Sequence, residues 1–507
     1  MNLYALFRSR FPDDPSALFL ERPDGPPLAY AELDAATARM AAELAARGVA
    51  PGDRVAVQVE KSPEALLVYL ACLRRGAIFV PLNPAYTDAE TAFLLGDAAP
   101  RLFVCDPARR AALDPATRDA GIAETATLDA AGHGSLDTWR ERAPDPSVAA
   151  SAGSDVAAIL YTSGTTGRPK GAMLTHRNLA ANAESLALLW RFERGDALLH
   201  ALPIFHAHGL FVALHCALLA GCRVLFLARF DAERVAALLP RATVFMGVPT
   251  HYARLLGLVA FGRDTCRGMR LFVSGSAPLT AAAHREFAAR TGQAILERYG
   301  MTETLMITSN TWEDRQAGKV GWPLPCVELR VVDEARRAVP AGETGALEVR
   351  GPSVFAGYWR LPEKTREDLL PDGFFRTGDL ACVDAAGCVT LVGRARDLVI
   401  SGGLNVYPAE VEEALDALPG VAESAVIGLA HPDLGEAVAA VVAPDGSRAL
   451  DEAAIRAGLG RRLARFKHPK RVFFVDALPR NAMGKVQKAA LRERFGDTFA
   501  SPAAVRE

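Results

Sequence analysis

The chain has 507 residues, half of them hydrophobic and 23% charged, which excludes a disordered or fibrous chain and exceeds what one compact core accommodates. Its 57 Lys and Arg nearly cancel its 59 Asp and Glu, so there is no electrostatic case for nucleic acid or a membrane surface as partner. Short apolar runs, a start (MNLYALFRSRFPDDP) without a basic-then-apolar signal pattern, and eight cysteines without CxxC spacing predict a cytoplasmic protein with reduced core thiols, no membrane span and no zinc site.

Taken in chain order, the first 150 residues alternate two patterns. Tyr30 to Gly48 and Ser62 to Gly76 have the three-and-four spacing of amphipathic helices. Arg54 to Val59, Ala77 to Pro81 and Arg101 to Cys105 read as short buried strands, as in a layered α/β domain with largely parallel sheets. A loose stretch from about Asp129 to Ser154 then leads to the apolar run Val156 to Leu160. That run feeds Tyr161 to Gly171, YTSGTTGRPKG. A strand stopping in small hydroxylated residues and glycines, closed by Lys170, can turn many N–H and O–H groups onto one anion. It is not a Walker loop, because no glycine precedes Lys170 and Gly171 stands where Ser or Thr would hold magnesium.

Further strands are predicted at Cys222 to Leu227, Thr243 to Val248 and Arg270 to Ser274. Ala294 to Leu296 reads as another, leading into Arg298-Tyr-Gly-Met-Thr-Glu-Thr304. A glycine turn there would present Thr302 to a phosphate and Glu303 to magnesium, with Tyr299 as a flat face for a base; alone, an ordinary turn explains it as well. From Val327 the pattern becomes alternating, at Val327 to Asp333 and Gly345 to Arg350, as in antiparallel strands. Asp379 lies beyond the turn of Asp372-Gly-Phe-Phe-Arg-Thr-Gly-Asp379, either for two ribose hydroxyls or as a solvated acid. Arg394 reads as a second ribose donor or a boundary salt bridge. The last hundred or so residues form a smaller α+β unit, with helices at Pro408 to Leu418 and Asp451 to Leu463 and a lone Lys485 in Pro479-Arg-Asn-Ala-Met-Gly-Lys485, locally a surface lysine.

Together YTSGTTGRPKG, RYGMTE, GFFRTGD, GRARD and PRNAMGK resemble the adenylate-forming superfamily, in order and spacing, over nearly the whole chain. The group comprises acyl-CoA synthetases, peptide-synthetase adenylation domains and firefly luciferase. The resemblance implies an α/β fold with a large N-terminal domain of layered α/β subdomains plus a β-rich subdomain (1–394). A small mobile α+β C-terminal domain (395–507) would follow. It implies two half-reactions, in which a carboxylate attacks the α-phosphate of ATP and a thiol, usually coenzyme A, displaces AMP. By the family pattern Thr162, Ser163, Gly164, Thr165, Thr166 and Lys170 hold the β- and γ-phosphates. Thr302 holds the α-phosphate, and Glu303 binds Mg²⁺. Gly275, Ser276, Ala277, Pro278 and Tyr299 frame the adenine, with Glu297, Gly300 and Met301 in the same nucleotide site. Asp379 and Arg394 take the ribose. Lys485 bridges the α-phosphate and the attacking carboxylate. Rotation about Arg396 would then bring Ser401, Gly402 and Gly403 to the pantetheine tunnel.

The acid pocket is expected between Pro203 to Gly209, Val248 to Arg254 and Glu297-Arg298, with His206 as the family's gating histidine and His208 beside it. Arg298, and Arg254 on the first turns of a helix, would suit an acid that keeps a second carboxylate. LERYGMTET, GLFVALH and ISGGLNVYPAE look like the malonyl-CoA synthetases, in which the Arg254 and Arg298 positions read the distal carboxylate. Malonate is therefore the expected acid and methylmalonate a second candidate. Against this stands a structural role, in which Arg298 pairs with Glu297 and Arg254 is solvated. Another short acid, a carrier-protein-charging adenylation module and a non-catalytic nucleotide binder are the competing functions. The sequence does not specify an oligomeric state.

Overall fold

The computed structural model describes residues 1–499 apart from 24, 163–168, 403, 461 and 482–483. The first sheet is built around Arg54–Gln58, with Ile78–Pro81 and Leu102–Cys105 parallel on either side. Every residue of those two flanking strands is buried, because the sheet is covered on both faces and has no solvent side. The helix Pro63–Arg75 shows why its ends fall where the sequence put them. The Ser62 hydroxyl accepts from Ala65 N–H, Pro63 opens the first turn, and Gly76 closes it at φ 71°.

Val156–Thr162 extends this sheet parallel to Ile78–Pro81, then pairs antiparallel with Lys170–Thr175. Lys170 is therefore the first residue of the return strand, directly across from Thr162. The expected phosphate residues Ser163, Gly164, Thr165 and Thr166 lie outside the described residues, as does Gly403.

A second sheet of nine strands carries the parallel series Arg223–Phe226, Ala197–His200, Val244–Gly247, Leu271–Ser274 and Ile295–Met301, in that spatial order. A four-stranded antiparallel sheet follows, Glu328–Val332, Thr344–Arg350, Phe375–Val383 and Val389–Arg394. The smaller C-terminal domain is built on the long hairpin Val421–His431 and Gly435–Pro444. Its alternate residues feed two separate cores. Val426, Val438, Ala440 and Val442 face one, and Ala425, Ile427, Ala439 and Val441 face the other. A single 3-10 turn, Ala395–Asp397, joins this domain to the strand before it.

Three expectations are corrected. Asp379 follows the turn at Asp372-Gly373 as expected, but it stands within the strand Phe375–Val383 and is buried, not solvated. Arg254 stands in the last turn of Pro249–Leu256, not the first turns. Six of the eight free cysteines are buried, but Cys326 is exposed and Cys382 partly so. Among the described residues, no helix is long and apolar enough to cross a membrane.

Candidate active site

Parallel strands point their carboxyl ends the same way, and a crevice forms where chains diverge from them. Phe226, His200, Gly247 and Ser274 are the last residues of four such strands, and Glu297 is paired beside Ser274 on the fifth. The candidate residues gather along this rim.

Tyr299, Asp379 and Arg394 form one unit. Asp379 and Arg394 are cross-strand partners, with Arg394 Nε 2.7 Å from Asp379 Oδ1. The Tyr299 hydroxyl donates to Asp379 Oδ2. Burial pushes the Asp379 carboxyl above its ordinary value, while Arg394, Tyr299 and Lys485 pull it back. Gly275, Ser276 and Ala277 follow the strand Leu271–Ser274 with falling burial, and Pro278 is exposed. Ser276 has φ +72°, a left-handed conformation that non-glycine residues rarely adopt. Gly300 and Met301 end the strand Ile295–Met301 and lead into the turn that carries Thr302.

A second group would face phosphates. Lys170 is buried, its ammonium 4.4 Å from the Tyr358 ring centroid. The Tyr358 hydroxyl donates to Glu303 Oε1 at 3.1 Å and Glu303 is itself buried. Burial lowers the Lys170 pKa, against the attraction of Asp368 and Glu303. Thr302 is half-buried beside Glu303, and Thr162 Oγ1 reaches the Lys170 carbonyl at 3.5 Å. No group of three or more His, Cys, Asp or Glu side chains is assembled for a metal among the described residues. A single buried carboxylate near a buried lysine fits Mg²⁺, which takes few protein ligands when phosphate oxygens supply the rest. Tyr358, in the run FAGYWR, is the member that sequence reasoning missed. A lone tyrosine carries no local signal of this kind.

The third group surrounds Arg298, where the acid pocket is expected. Arg298 is only 4% exposed, and its Nε and Nη2 have no hydrogen-bond partner among the described residues. A Cβ on Gly275 would lie 2.3 Å from the Arg298 guanidinium carbon, so only glycine lets the two approach. Burial pulls the Arg298 pKa down to about 9, which leaves it charged at neutral pH. Glu297 does not neutralise it. Adjacent strand residues point to opposite faces, and Glu297 Oε1 accepts from Gly318 N–H at 3.0 Å.

His206 lies within the fields of Lys485 and Arg298, and burial with these charges lowers its pKa to about 3. His208 is buried, its Nδ1 3.3 Å from Ser276 Oγ and its Nε2 without a partner among the described residues. Both imidazoles are thus neutral beside a cation. Arg254 is exposed and makes no ion pair among the described residues; it sits one turn beyond His251, whose pKa burial and Arg254 both lower.

Lys485 is exposed, yet it stands among the charges of Arg394, Asp379, Arg298 and Glu303. Burial, then Arg394 and Arg298, lower its pKa, while Asp379 and Glu303 raise it. The loop read locally as surface thus reaches the centre of the site. Ser401 and Gly402 instead make their contacts inside the small domain, Ser401 pairing with Gly435 and Gly402 donating to the Leu434 carbonyl. Arg396 is exposed in the connecting turn, and its neighbour Asp397 accepts from Arg492 at 2.6 Å.

The chain matches the model of the AMP-binding enzymes over residues 7–359 and that of the AMP-binding enzyme C-terminal domain over residues 410–485. It is 38% identical to a feruloyl-CoA synthase of an Amycolatopsis species, over 94% of this chain and 95% of that one. It is 35% identical to the mitochondrial malonate–CoA ligase ACSF3 of Mus musculus, over 83% and 78%. Among solved structures, ATP-bound MatB from Rhodopseudomonas palustris superposes with a TM-score of 0.96 at 51% identity, covering 98% of this chain and 99% of that one. The apo form of the same protein, with equal identity and coverage, gives 0.84.

Proposed function

We propose, for a chain that belongs to the AMP-binding enzymes and is an AMP-forming acyl-CoA synthetase, that the acid it activates is malonate. The reaction would be malonate + ATP + CoA giving malonyl-CoA + AMP + pyrophosphate, through a malonyl-adenylate. One observation carries the choice of acid. A guanidinium buried to 4% exposure with two nitrogens unpartnered is costly unless an anion completes it, and a second carboxylate is such an anion. An aromatic or fatty tail would leave those N–H groups unsatisfied. The similarity to a malonate–CoA ligase supports the same reading, while the feruloyl-CoA synthase shows that overall identity alone does not choose the acid.

The physical problem of the first step is charge, since one anion attacks another. In this reading Lys170 and Thr162 face the β- and γ-phosphates and Thr302 the α-phosphate. Asp379 and Arg394 take the ribose, and Tyr299 with Gly275 to Pro278 frames the base. Glu303, steadied by Tyr358, would hold Mg²⁺, which neutralises phosphate charge when bound. Neutral His206 and His208 let the acid approach without a competing counter-ion. Lys485, a compact charge on a flexible stem, would touch both the attacking carboxylate and the α-phosphate.

The second step needs that lysine withdrawn and a thiol admitted. We place the domain boundary at 394/395 and the hinge at Arg396, in the one turn joining the domains. The better match to an ATP-bound relative than to its apo form supports taking the present arrangement as the adenylating one. Rotation would then carry Ser401 and Gly402 to the thiol path. The test is pyrophosphate exchange over malonate, methylmalonate, succinate, acetate and benzoate, followed by a CoA-thioester assay. Malonate should give the highest kcat/KM, and a preference for benzoate or acetate would overturn the reading.

A further inference from the structure

Lys61 takes no part in the chemistry above, yet it is among the most deeply placed charged groups of the molecule. It is 6% exposed, follows the strand Arg54–Gln58, and crosses from the first sheet to the rim of the second. Its ammonium lies 2.6 Å from the Leu227 carbonyl, 3.0 Å from the His200 carbonyl and 2.7 Å from His200 Nδ1. The Phe226 ring centroid is 4.2 Å away. Among the described residues no carboxylate completes this shell. His200 in turn places Nε2 2.9 Å from the Gly209 carbonyl.

These four contacts fix the number of protons. Three of the acceptors are carbonyl oxygens, which only accept, and the fourth contact joins two nitrogens. Four hydrogens are therefore required from one amine and one imidazole. A charged lysine with neutral histidine supplies three and one; a neutral lysine with charged histidine supplies two and two. Either division leaves one positive charge on the pair. Burial pulls both groups toward their neutral forms, but neutralising the pair would leave one buried acceptor without a hydrogen.

We infer that Lys61 and His200 form a permanently charged pair that selects for an acid bearing a second negative charge, Lys61 being a specificity-determining residue behind the acid pocket. Its place supports this. Gly209, which His200 clasps, is the second residue of the π-helix His208–Leu214, so the clasp fixes the start of the segment that presents His208. Gly209 cannot retreat, since a Cβ there would already lie 2.0 Å from the Pro203 carbonyl. The field of Lys61 reaches His251, and that of His200 reaches His208, which also feels Arg298. Positive charge from Arg298, the Lys61 pair and Arg254 thus converges on the neighbouring His208 and His251. A dianion is drawn to such a field, and an acid with a neutral tail is not.

This inference rests on the malonate reading, and the test separates the two. Malonate and its monomethyl ester share a skeleton and one reacting carboxylate but differ by one charge. In the wild type, kcat/KM for malonate should exceed that for the ester; if it does not, the malonate reading falls and this inference with it. If it does, Lys61→Met should cut the malonate-to-ester ratio by about tenfold or more, chiefly through KM for malonate. Lys61→Gln still donates to two carbonyls and gives the same readout with less structural disturbance. His200→Gln can accept from Lys61 and donate to Gly209, so it keeps the charge and should keep the ratio. An unchanged ratio in folded Lys61→Met or Lys61→Gln, both acids falling together, would overturn the inference and leave Lys61 a structural residue.

Discussion

Asp379 and Arg394 hold each other across two antiparallel strands, Nε to Oδ1 at 2.7 Å. With the Tyr299 hydroxyl on its other oxygen, the carboxylate is aimed by two partners from two different sheets. A ribose that bonds to it meets a fixed acceptor and pays little ordering entropy. Asp379→Asn should therefore raise KM for ATP by about 10- to 100-fold, as loss of a charge-assisted hydrogen bond does, and change KM for malonate far less. Initial rates with each substrate varied in turn check this, and an unaltered KM for ATP would remove Asp379 from the ribose.

Lys485→Ala should lower pyrophosphate exchange by roughly a thousandfold, since a positioned charge at a developing anion is lost. Thiolysis of supplied malonyl-adenylate should stay within about threefold of wild type, because that step does not use the lysine. Separate assays of the two half-reactions decide. Equal loss of both would mean that Lys485 only supports the structure.

Arg298→Ala should reduce kcat/KM for malonate by roughly 100- to 1000-fold, the usual cost of removing a desolvated partner of a buried charge. Propionate, which has no second carboxylate, should lose much less. Malonate kinetics left intact would sink the assignment.

Arg396→Pro fixes a backbone angle in the connecting turn and removes an N–H. If that turn rotates between half-reactions, the variant should lose several-fold more thioester formation than pyrophosphate exchange. The Asp397–Arg492 pair lies within the small domain, so it should survive the change. A parallel decline of both rates would place the hinge elsewhere.

Glu297 gives a pH prediction. Burial raises its pKa from 4.5 to about 7, against the single N–H of Gly318. The proton is bound more tightly in the folded state than in the unfolded one. Its stabilising share is thus complete below pH 4.5 and lost as pH rises through 7. The shift corresponds to about 3 kcal/mol. Glu297→Gln keeps an acceptor for Gly318 and cannot ionise. In urea unfolding at pH 5 and pH 8, the wild type should lose about 2–3 kcal/mol more than this variant between the two conditions.

The motifs made the family readable in sequence through their common order and spacing, although each alone suits an ordinary turn as well. The helix Pro63–Arg75 was equally plain, since Ser62 and Gly76 mark its ends. What pattern could not reveal is which side chains meet across sheets. Asp379 sits in a run that suits a solvated turn, yet it is buried, with Arg394 across the strand pair and Tyr299 from another sheet on its carboxylate. Tyr358 reaches Glu303 from 55 residues away, and Lys61 reaches His200 from 139. Glu297 and Arg298 show the converse. Opposite charges adjacent in sequence suggested a pair, but strand geometry turns them apart.

The rim of parallel strand ends has one more consequence. His200, Gly247, Ser274 and Glu297 each arrive on a different strand, and the ladder that fixes those strands is finished or nearly so by the time they appear. A substitution just past such an end alters one face of the cavity and spares the hydrogen bonds behind it. The architecture therefore separates the evolution of substrate choice from the maintenance of the fold, so relatives named for acids as unlike as ferulate and malonate can share one frame. Lys61 departs from that freedom, because it donates to the His200 and Leu227 carbonyls at two neighbouring strand ends, and an apolar replacement releases both.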